Sequence, residues 1–158
     1  MIMRFIREWK KKIYGQLLPT DKEIFDFIYK EYYVEFMNYD KENNKTRITK
    51  NYISIDISKI AKHFGVDNDI IFSRFYYVYK EKYDYQRENR PDVYFFMNKL
   101  EGNKNFEDEI HLVHFPYLTS ILAKLEYDEE KFHISTLISI IAVIISFGSL
   151  LMLLINKS

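Results

Sequence analysis

The histidines and the acidic clusters are the side chains in this sequence whose chemistry could support a metal site. His111 and His114 are three residues apart in a stretch that reads as a β-strand. Side chains three apart on a strand point to opposite faces, so the two rings are not expected to share a metal ion. Residues 67–69 resemble the start of a calcium-binding loop, but the glycine and the distal glutamate that such a loop needs are missing.

Signatures of catalysis are missing from the sequence as well. There is no cysteine, which excludes a disulfide, a thiolate metal site and a cysteine nucleophile. With only four glycines, the chain has no glycine-rich phosphate loop and no Gly-x-Ser-x-Gly nucleophile elbow. We therefore expect no enzyme activity, no catalytic residue, no metal and no cofactor.

The strongest signal in the sequence is an uncharged segment from Ile134 to Ile155. Fourteen of its 22 residues are Ile, Leu, Val or Phe. As a helix it would be about 33 Å long, enough to cross a hydrocarbon core about 30 Å thick. Residues 132–158 are therefore predicted to be a single C-terminal membrane anchor with a short tail. A buried core helix is the alternative, but no other segment is apolar enough to surround it.

Small residues recur along one side of this predicted anchor. They are Ser135, Ser139, Ala142, Ser146 and Ser149. Their alternating steps of four and three average 3.5 residues, which places them along one seam of a left-handed helix pair. We expect this seam to join copies of the chain into a homo-oligomer. The alternative is that each serine hydroxyl bonds to the backbone of its own helix.

Residues 1–18 predict a basic amphipathic helix. They carry five cations against Glu8, a net charge of +4, whereas residues 19–133 carry 17 Lys or Arg against 22 Asp or Glu. Under the positive-inside rule the basic cluster places the N-terminal domain in the cytoplasm, at the cell membrane. The helix is expected either to lie on anionic lipid or to pack on the domain. The residues expected to touch the membrane surface are Arg4, Arg7, Trp9, Lys11 and Lys12.

Residues 19–131 predict one small α+β domain. Apolar residues at helical spacing indicate a helix over 21–38, capped by Thr20 or Asp21. Residues 52–55 are consistent with a short strand.

A helix-turn-helix pattern begins at Asp56, which can cap the first of two helices. Gly65 ends that helix, because a glycine adopts the left-handed conformation at little cost. Asp67 or Asn68 caps the second helix, which is predicted to run to about Tyr85. Two helices joined by about three residues around a glycine have helix-turn-helix geometry.

A predicted β-hairpin follows the two helices. Its strands are expected at 93–97 and 110–115, and Pro116 can then start another helix. With this order of elements, residues 21–125 resemble the winged helix-turn-helix superfamily, with the hairpin as the wing. The resemblance is carried by Ile60, Ala61, Phe64, Gly65, Val66 and Ile71.

The resemblance implies that the second helix of the motif contacts DNA or a partner. In DNA-binding members this helix enters the major groove. The residues in position to make such contacts are Arg74, Tyr77 and Lys80. Three carboxylates share the same surface and the wing tip is acidic, which disfavours contact with phosphate.

We therefore expect a membrane-anchored cytoplasmic interaction or assembly protein without catalytic activity. Its expected partners are membrane lipid, further copies of the chain and an unidentified protein, with DNA as a further possibility. One alternative is a membrane-tethered DNA-binding transcription regulator. A second alternative is an oligomeric membrane-perturbing effector, with a serine-lined pore as a variant.

Overall fold

The computed structural model describes residues 18–39, 49–86, 88, 92–100 and 109–156. The chain divides into two compact units, Met1–Ser120 and Ile121–Ser158. In its described residues the first unit combines helices with a three-stranded antiparallel sheet, so the predicted α+β class is confirmed.

The first described helix, α1, spans Asp21–Met37 and begins with a reciprocal cap. The Thr20 hydroxyl accepts a hydrogen bond from the Glu23 amide at 3.3 Å, and the Glu23 carboxylate accepts one from the Thr20 amide at 2.8 Å. Two amides that the helix itself cannot satisfy are thereby paired. Thr20, one of the two predicted caps, is the residue that starts the helix.

The two helices of the predicted helix-turn-helix are present. Helix α2 spans Ile57–Phe64 and helix α3 spans Asn68–Ser73. Gly65 has a positive φ of 65°, and the amide of Val66 then donates to the Ala61 carbonyl at 3.0 Å. This arrangement satisfies carbonyls that the end of α2 leaves open.

The second helix of the motif departs from the predicted continuous α-helix. After α3 the chain forms a π-helical turn, Arg74–Tyr79, and then helix α4, Lys80–Tyr83. The amide of Lys80 donates to the Phe75 carbonyl, five residues back, as a π-helix requires. The helical path also ends at Tyr83, short of the predicted Tyr85.

The buried side of this helical path is formed by Ile71, Phe75 and Tyr79, which are four residues apart and all fully buried. Residues four apart lie on the same face of a helix, so the three side chains enter the core together.

The sheet joins the strand before the motif to the hairpin after it. Its strands are β1 (Tyr52–Ile55), β2 (Phe96–Leu100) and β3 (Glu109–His114), in the antiparallel order β1-β3-β2. Val113 in the central strand pairs with Ile53 on one side and Phe96 on the other.

The predicted strand over 93–97 begins later than expected. Val93 forms an isolated bridge with Tyr85, and the amide of Phe95 is taken by the carboxylate of Asp84. These contacts occupy the amides of Val93 and Phe95, and the strand begins at Phe96; the Phe95 carbonyl accepts a hydrogen bond from the His114 amide of β3 at 3.0 Å.

Helix α5 runs over Phe115–Ile155, with Pro116 in its first turn as predicted. The charged residues 128–131 lie inside this helix. In the part of the chain that the structure describes, one helix is long and apolar enough to cross a membrane. The candidate span is the stretch Phe115–Ser149 of α5, and its most apolar window has a mean hydropathy of 1.9 and no buried residue.

Candidate functional site

The inner face of the helical path 68–83 is tied to the start of α1. The Arg74 guanidinium donates to the Pro19 carbonyl and to the Asp21 carboxylate, and the Tyr79 hydroxyl lies 2.9 Å from the same carboxylate. Burial raises the pKa of the Tyr79 phenol, and the nearby Asp21 adds to this effect. Arg74, which the sequence predicted to contact DNA or a partner, is thus engaged within the fold.

The outer face of the same path carries an open groove of about 530 Å³. We call it the tyrosine groove, because four of its lining residues are exposed tyrosines. Its lining residues are Tyr76, Tyr77, Lys80, Glu81, Asp84, Tyr85, Gln86, Asp92 and Tyr94. The groove thus combines aromatic surface with three carboxylates and one ammonium group among its described residues.

Two residues predicted from the sequence, Tyr77 and Lys80, lie in this groove. The rings of Tyr76 and Tyr77 meet nearly perpendicularly, with centroids 4.9 Å apart. The Lys80 ammonium lies 5.2 Å from the centre of the Tyr76 ring, within the distance of a cation–π contact. Tyrosine offers large contact area with few rotatable bonds, which suits a binding surface.

The two sides of the groove are held together by backbone contacts. Tyr85 and Val93 exchange two backbone hydrogen bonds of 3.1 and 3.0 Å. The Asp84 carboxylate accepts from the Phe95 amide at 2.6 Å, and the Tyr52 hydroxyl donates to the Tyr94 carbonyl at 2.9 Å. A surface fixed in this way loses little conformational freedom when a partner binds.

Asp84 is the partly buried carboxylate of the groove. Loss of hydration raises the pKa of its carboxyl group, while the hydrogen bond from the Phe95 amide opposes that rise. The carboxyl group therefore serves both as a link between the two sides of the groove and as part of its lining.

The histidines make contacts within the fold. The His114 ring accepts from the Tyr117 amide at 3.2 Å, and the His111 ring stacks on Phe96 with centroids 5.9 Å apart. The His63 ring lies 4.2 Å from that of Phe27. Over the described ranges, no group of three or more His, Asp or Glu side chains is placed to hold a metal ion.

The apolar part of α5 exposes its large side chains. Ile138, Phe147 and Met152 are each more than half exposed. Exposed apolar surface of this extent on a helix is typical of a segment that contacts lipid or another helix.

The serines of the predicted seam bond to their own helix. Ser139 donates to the Ser135 carbonyl at 2.9 Å, Ser146 to the Ala142 carbonyl at 2.8 Å and Ser149 to Ile145 at 2.9 Å. This is the alternative that the sequence left open for the hydroxyls. The serine side chains remain small whether or not their hydroxyls bond to their own helix, so pairing of helices along the seam stays a prediction.

The predicted membrane-surface residues Arg4, Arg7, Trp9, Lys11 and Lys12 lie outside the described residues. Their contacts with lipid or with the domain therefore stay a prediction. The predicted acidic tip of the hairpin, residues 101–108, also lies outside that part of the chain.

Several groove residues were not found from the sequence. Tyr76 belongs to the aromatic run 75–79. Since Phe75 and Tyr79 share the apolar face of the helix, helical spacing predicts that Tyr76 lies outside that face. Tyr85 and Tyr94 reach the groove through a bridge between distant segments, which no local pattern indicates.

Comparison with protein-family models, with curated proteins and with solved structures found no match.

Proposed function

We propose that this chain is a membrane-anchored interaction protein, whose winged-helix-like domain lies in the cytoplasm and binds a protein partner through the tyrosine groove. The observation that carries this proposal is the chemistry of the groove. Tyrosines and carboxylates occupy the outer face of the helix that would enter DNA in a DNA-binding relative of the fold.

The charges of this face favour a protein over a nucleic acid. Binding to DNA depends on cationic contacts to phosphate. Of the cations predicted for that role, Arg74 is engaged with Asp21 and Lys80 lies over the Tyr76 ring. Glu81 shares the face and would repel phosphate. Tyrosine, by contrast, is enriched where proteins meet.

The winged-helix part of the proposal is supported by the order of the elements. A helix and a strand precede the helix-turn-helix, and a hairpin follows it. The strand before the motif pairs with the second strand of the hairpin, so the hairpin is fixed beside the motif as a wing would be.

The membrane part of the proposal is supported by the second unit. The segment 134–155 has no charged residue, and the large apolar side chains described in it are exposed. The basic residues of 1–18 favour the cytoplasm for the domain. Confinement to a membrane raises the effective concentration of the domain for a partner at the same surface, so modest affinity suffices.

Pairing of the helices along the small-residue seam completes the proposal. Lipid provides no hydrophobic drive for pairing, but small side chains allow close backbone approach. Exchange of Ser139, Ala142 and Ser146 for leucine should abolish oligomers in a membrane association assay. Unchanged association in that variant would remove the seam from the proposal.

The central experiment places a photo-crosslinking amino acid at Tyr77 in the full chain, expressed in its native membranes. Tyr127, on α5, is the matched control because both tyrosines are 64% exposed. We expect one discrete adduct with another protein at position 77 and none at position 127.

The adducted protein is then purified and its affinity for the full chain is measured. We expect Tyr77→Ser to weaken binding about tenfold, since an exposed tyrosine at an interface commonly contributes more than about 1 kcal/mol. Identical adducts at positions 77 and 127, or an affinity unchanged by Tyr77→Ser, would refute the groove as the partner site.

A membrane-tethered DNA-binding regulator is the second candidate, and the helix-turn-helix with its adjoining hairpin favours it. A gel-shift assay at low salt, with DNA from upstream of the gene that encodes the chain, tests it. Absence of a shift removes the regulator, because non-specific attraction to DNA is strongest at low salt.

A further inference from the structure

We infer that the tyrosine groove is the docking site for residues 1–17 of the same chain. The inference names an occupant for the groove of the proposed function, and it rests on that groove being a protein-binding surface. The segment and the protein partner exchange in the groove, so the adduct with the partner at position 77 should increase when the segment is prevented from docking. Three properties of the described residues and of the sequence support it: where the chain enters the domain, the charge of the groove, and its aromatic lining.

The chain enters the domain beside the helix that carries the groove. The Pro19 carbonyl and the Asp21 carboxylate both accept hydrogen bonds from Arg74, in the π-helical turn. The Lys82 ammonium lies 3.8 Å from the same Asp21 carboxylate. Residues 19–21 are therefore fixed against the inner face of the segment whose outer face forms the groove.

Residues 1–17 are long enough to reach the tyrosine groove from Pro19. To pass around a helix about 10–12 Å in diameter, a chain follows about half the circumference, which needs about five or six extended residues at about 3.3 Å each. About 11 or 12 of residues 1–17 are then available to lie along the groove. The groove itself starts at Tyr76, two positions after Arg74.

The charges of segment and groove are complementary. Residues 1–17 carry Arg4, Arg7, Lys10, Lys11 and Lys12 against one glutamate. The described groove lining has three carboxylates against Lys80. Complementary charge of this kind fixes the orientation of a bound segment and speeds its association.

The aromatic lining suits the side chains of the segment. Trp9 is the single tryptophan of the chain and lies among the cations. A tryptophan that fills a pocket is a common anchor of protein–protein contacts, and tyrosine faces attract arginine and lysine. The contact of Lys80 with the Tyr76 ring is an instance within the groove of a cation on a tyrosine face.

A disulfide test uses the absence of native cysteine. The Glu8→Cys and Gln86→Cys exchanges place one thiol next to Trp9 and one in the groove lining, without removing a tyrosine or a segment cation. The control pair keeps Glu8→Cys and adds Val34→Cys, which is 63% exposed on α1. Val34 lies about 20 Å along α1 from Asp21.

Both full-length variants are oxidised in membranes, and the rate of intramolecular disulfide formation is measured on gels. A disulfide requires the two Cα atoms to come within about 7 Å. We expect the 8/86 pair to form at least about tenfold faster than the 8/34 pair, because docking raises the effective concentration of the thiols. Adding Tyr77→Ser and Glu81→Lys should lower the 8/86 rate to that of the control pair. Equal rates, or a product that is only intermolecular, would overturn the inference.

The fluorescence of Trp9 gives a second readout that separates groove from lipid. The full chain is placed in nanodiscs of neutral lipid and in nanodiscs containing phosphatidylglycerol. Docking predicts an emission maximum independent of lipid charge, with a red shift and stronger acrylamide quenching in Tyr77→Ser but not in Tyr127→Ser. An emission that follows the phosphatidylglycerol content and ignores Tyr77→Ser would place the segment on the membrane and overturn the inference.

Failure of the inference and failure of the proposed function give different results. The full chain with Trp9→Ser, Lys11→Glu and Lys12→Glu should have an emptied groove. If the 8/86 disulfide forms quickly but no other protein crosslinks at position 77 even in this emptied chain, the proposed function fails and docking stands. If another protein crosslinks at 77 while the 8/86 and 8/34 rates are equal, docking is overturned and the proposed function stands.

Discussion

Tyr77 and Tyr79 are two residues apart on one helical path and have opposite surroundings. Tyr79 is fully buried and its hydroxyl bonds to Asp21, whereas Tyr77 is 64% exposed and lines the groove. Two cations on the path divide in the same way. Arg74 is held by α1, and Lys80 lies over the Tyr76 ring on the outer side.

The difference teaches that residue type alone does not separate structure from function on this helix. The inner face holds the fold together through Ile71, Phe75 and Tyr79, which are all fully buried. The outer face leaves the aromatic side chains of Tyr76 and Tyr77 exposed to solvent. Exposed aromatic surface contributes little to folding, which is why we assign it to binding.

The largest expected effect comes from truncating the two tyrosines separately. Tyr79→Ala should lower the free energy of unfolding by about 3–5 kcal/mol, since it removes a buried ring and leaves a cavity. Tyr77→Ala should change it by less than about 0.5 kcal/mol, as is usual for surface positions. Chemical denaturation of the full chain in detergent, followed by near-ultraviolet circular dichroism of the tyrosines, measures both. Similar losses in the two variants would contradict the division into an inner and an outer face.

The two cations should divide in the same way with a smaller difference. Arg74→Ala removes hydrogen bonds to Pro19 and Asp21 in a partly buried site, so we expect a loss of about 1–3 kcal/mol. Lys80→Ala is the matched variant on the outer face, where a cation–π contact at an exposed site contributes about 0.5–1 kcal/mol. A stable Arg74→Ala protein would mean that apolar packing and the remaining contacts of Asp21, with Tyr79 and Lys82, hold α1 without Arg74.

The parts of the fold that were predictable from the sequence depend on local signals. Thr20, Asp56 and Asp67 cap helices because a side-chain oxygen reaches an amide two or three residues ahead, and Gly65 ends a helix through its own backbone conformation. Such signals need no knowledge of distant segments.

The parts that were not predictable depend on contacts between distant segments. The late start of β2 follows from the contact between Asp84 and Phe95, and the role of Arg74 follows from a partner 53 residues earlier. For the same reason the sequence predicted only some residues of the groove. Tyr77 and Lys80 lie off the apolar stripe of one helix, whereas Tyr94 arrives from another segment and leaves no pattern on that helix.

Asp84 gives the smallest expected effect and tests the boundary between the two faces, since its carboxyl group holds Phe95 and lines the groove. Because burial raises its pKa, the native state retains the proton to higher pH than the unfolded chain does. The native state therefore binds more protons than the unfolded chain in this window, and this group's contribution to stability declines as pH rises from the ordinary aspartate value of about 3.9 through the raised pKa. Asparagine cannot ionise, so the stability of Asp84→Asn relative to the natural chain should improve over that window and then level off.

The salt dependence of this difference identifies its cause. Burial is the main reason for the raised pKa, with the Phe95 amide and Lys80 opposing it. Added salt screens the attraction to Lys80 but does not rehydrate a buried carboxyl group. The pH-dependent difference between Asp84→Asn and the natural chain should therefore persist at high salt, measured by denaturation at several pH values. A difference that vanishes in salt would mean that repulsion from the other carboxylates of the groove, and not burial, raises the pKa of this carboxyl group. The Asp84 carboxyl group would then act as an exposed group of the outer face and not as a partly buried one.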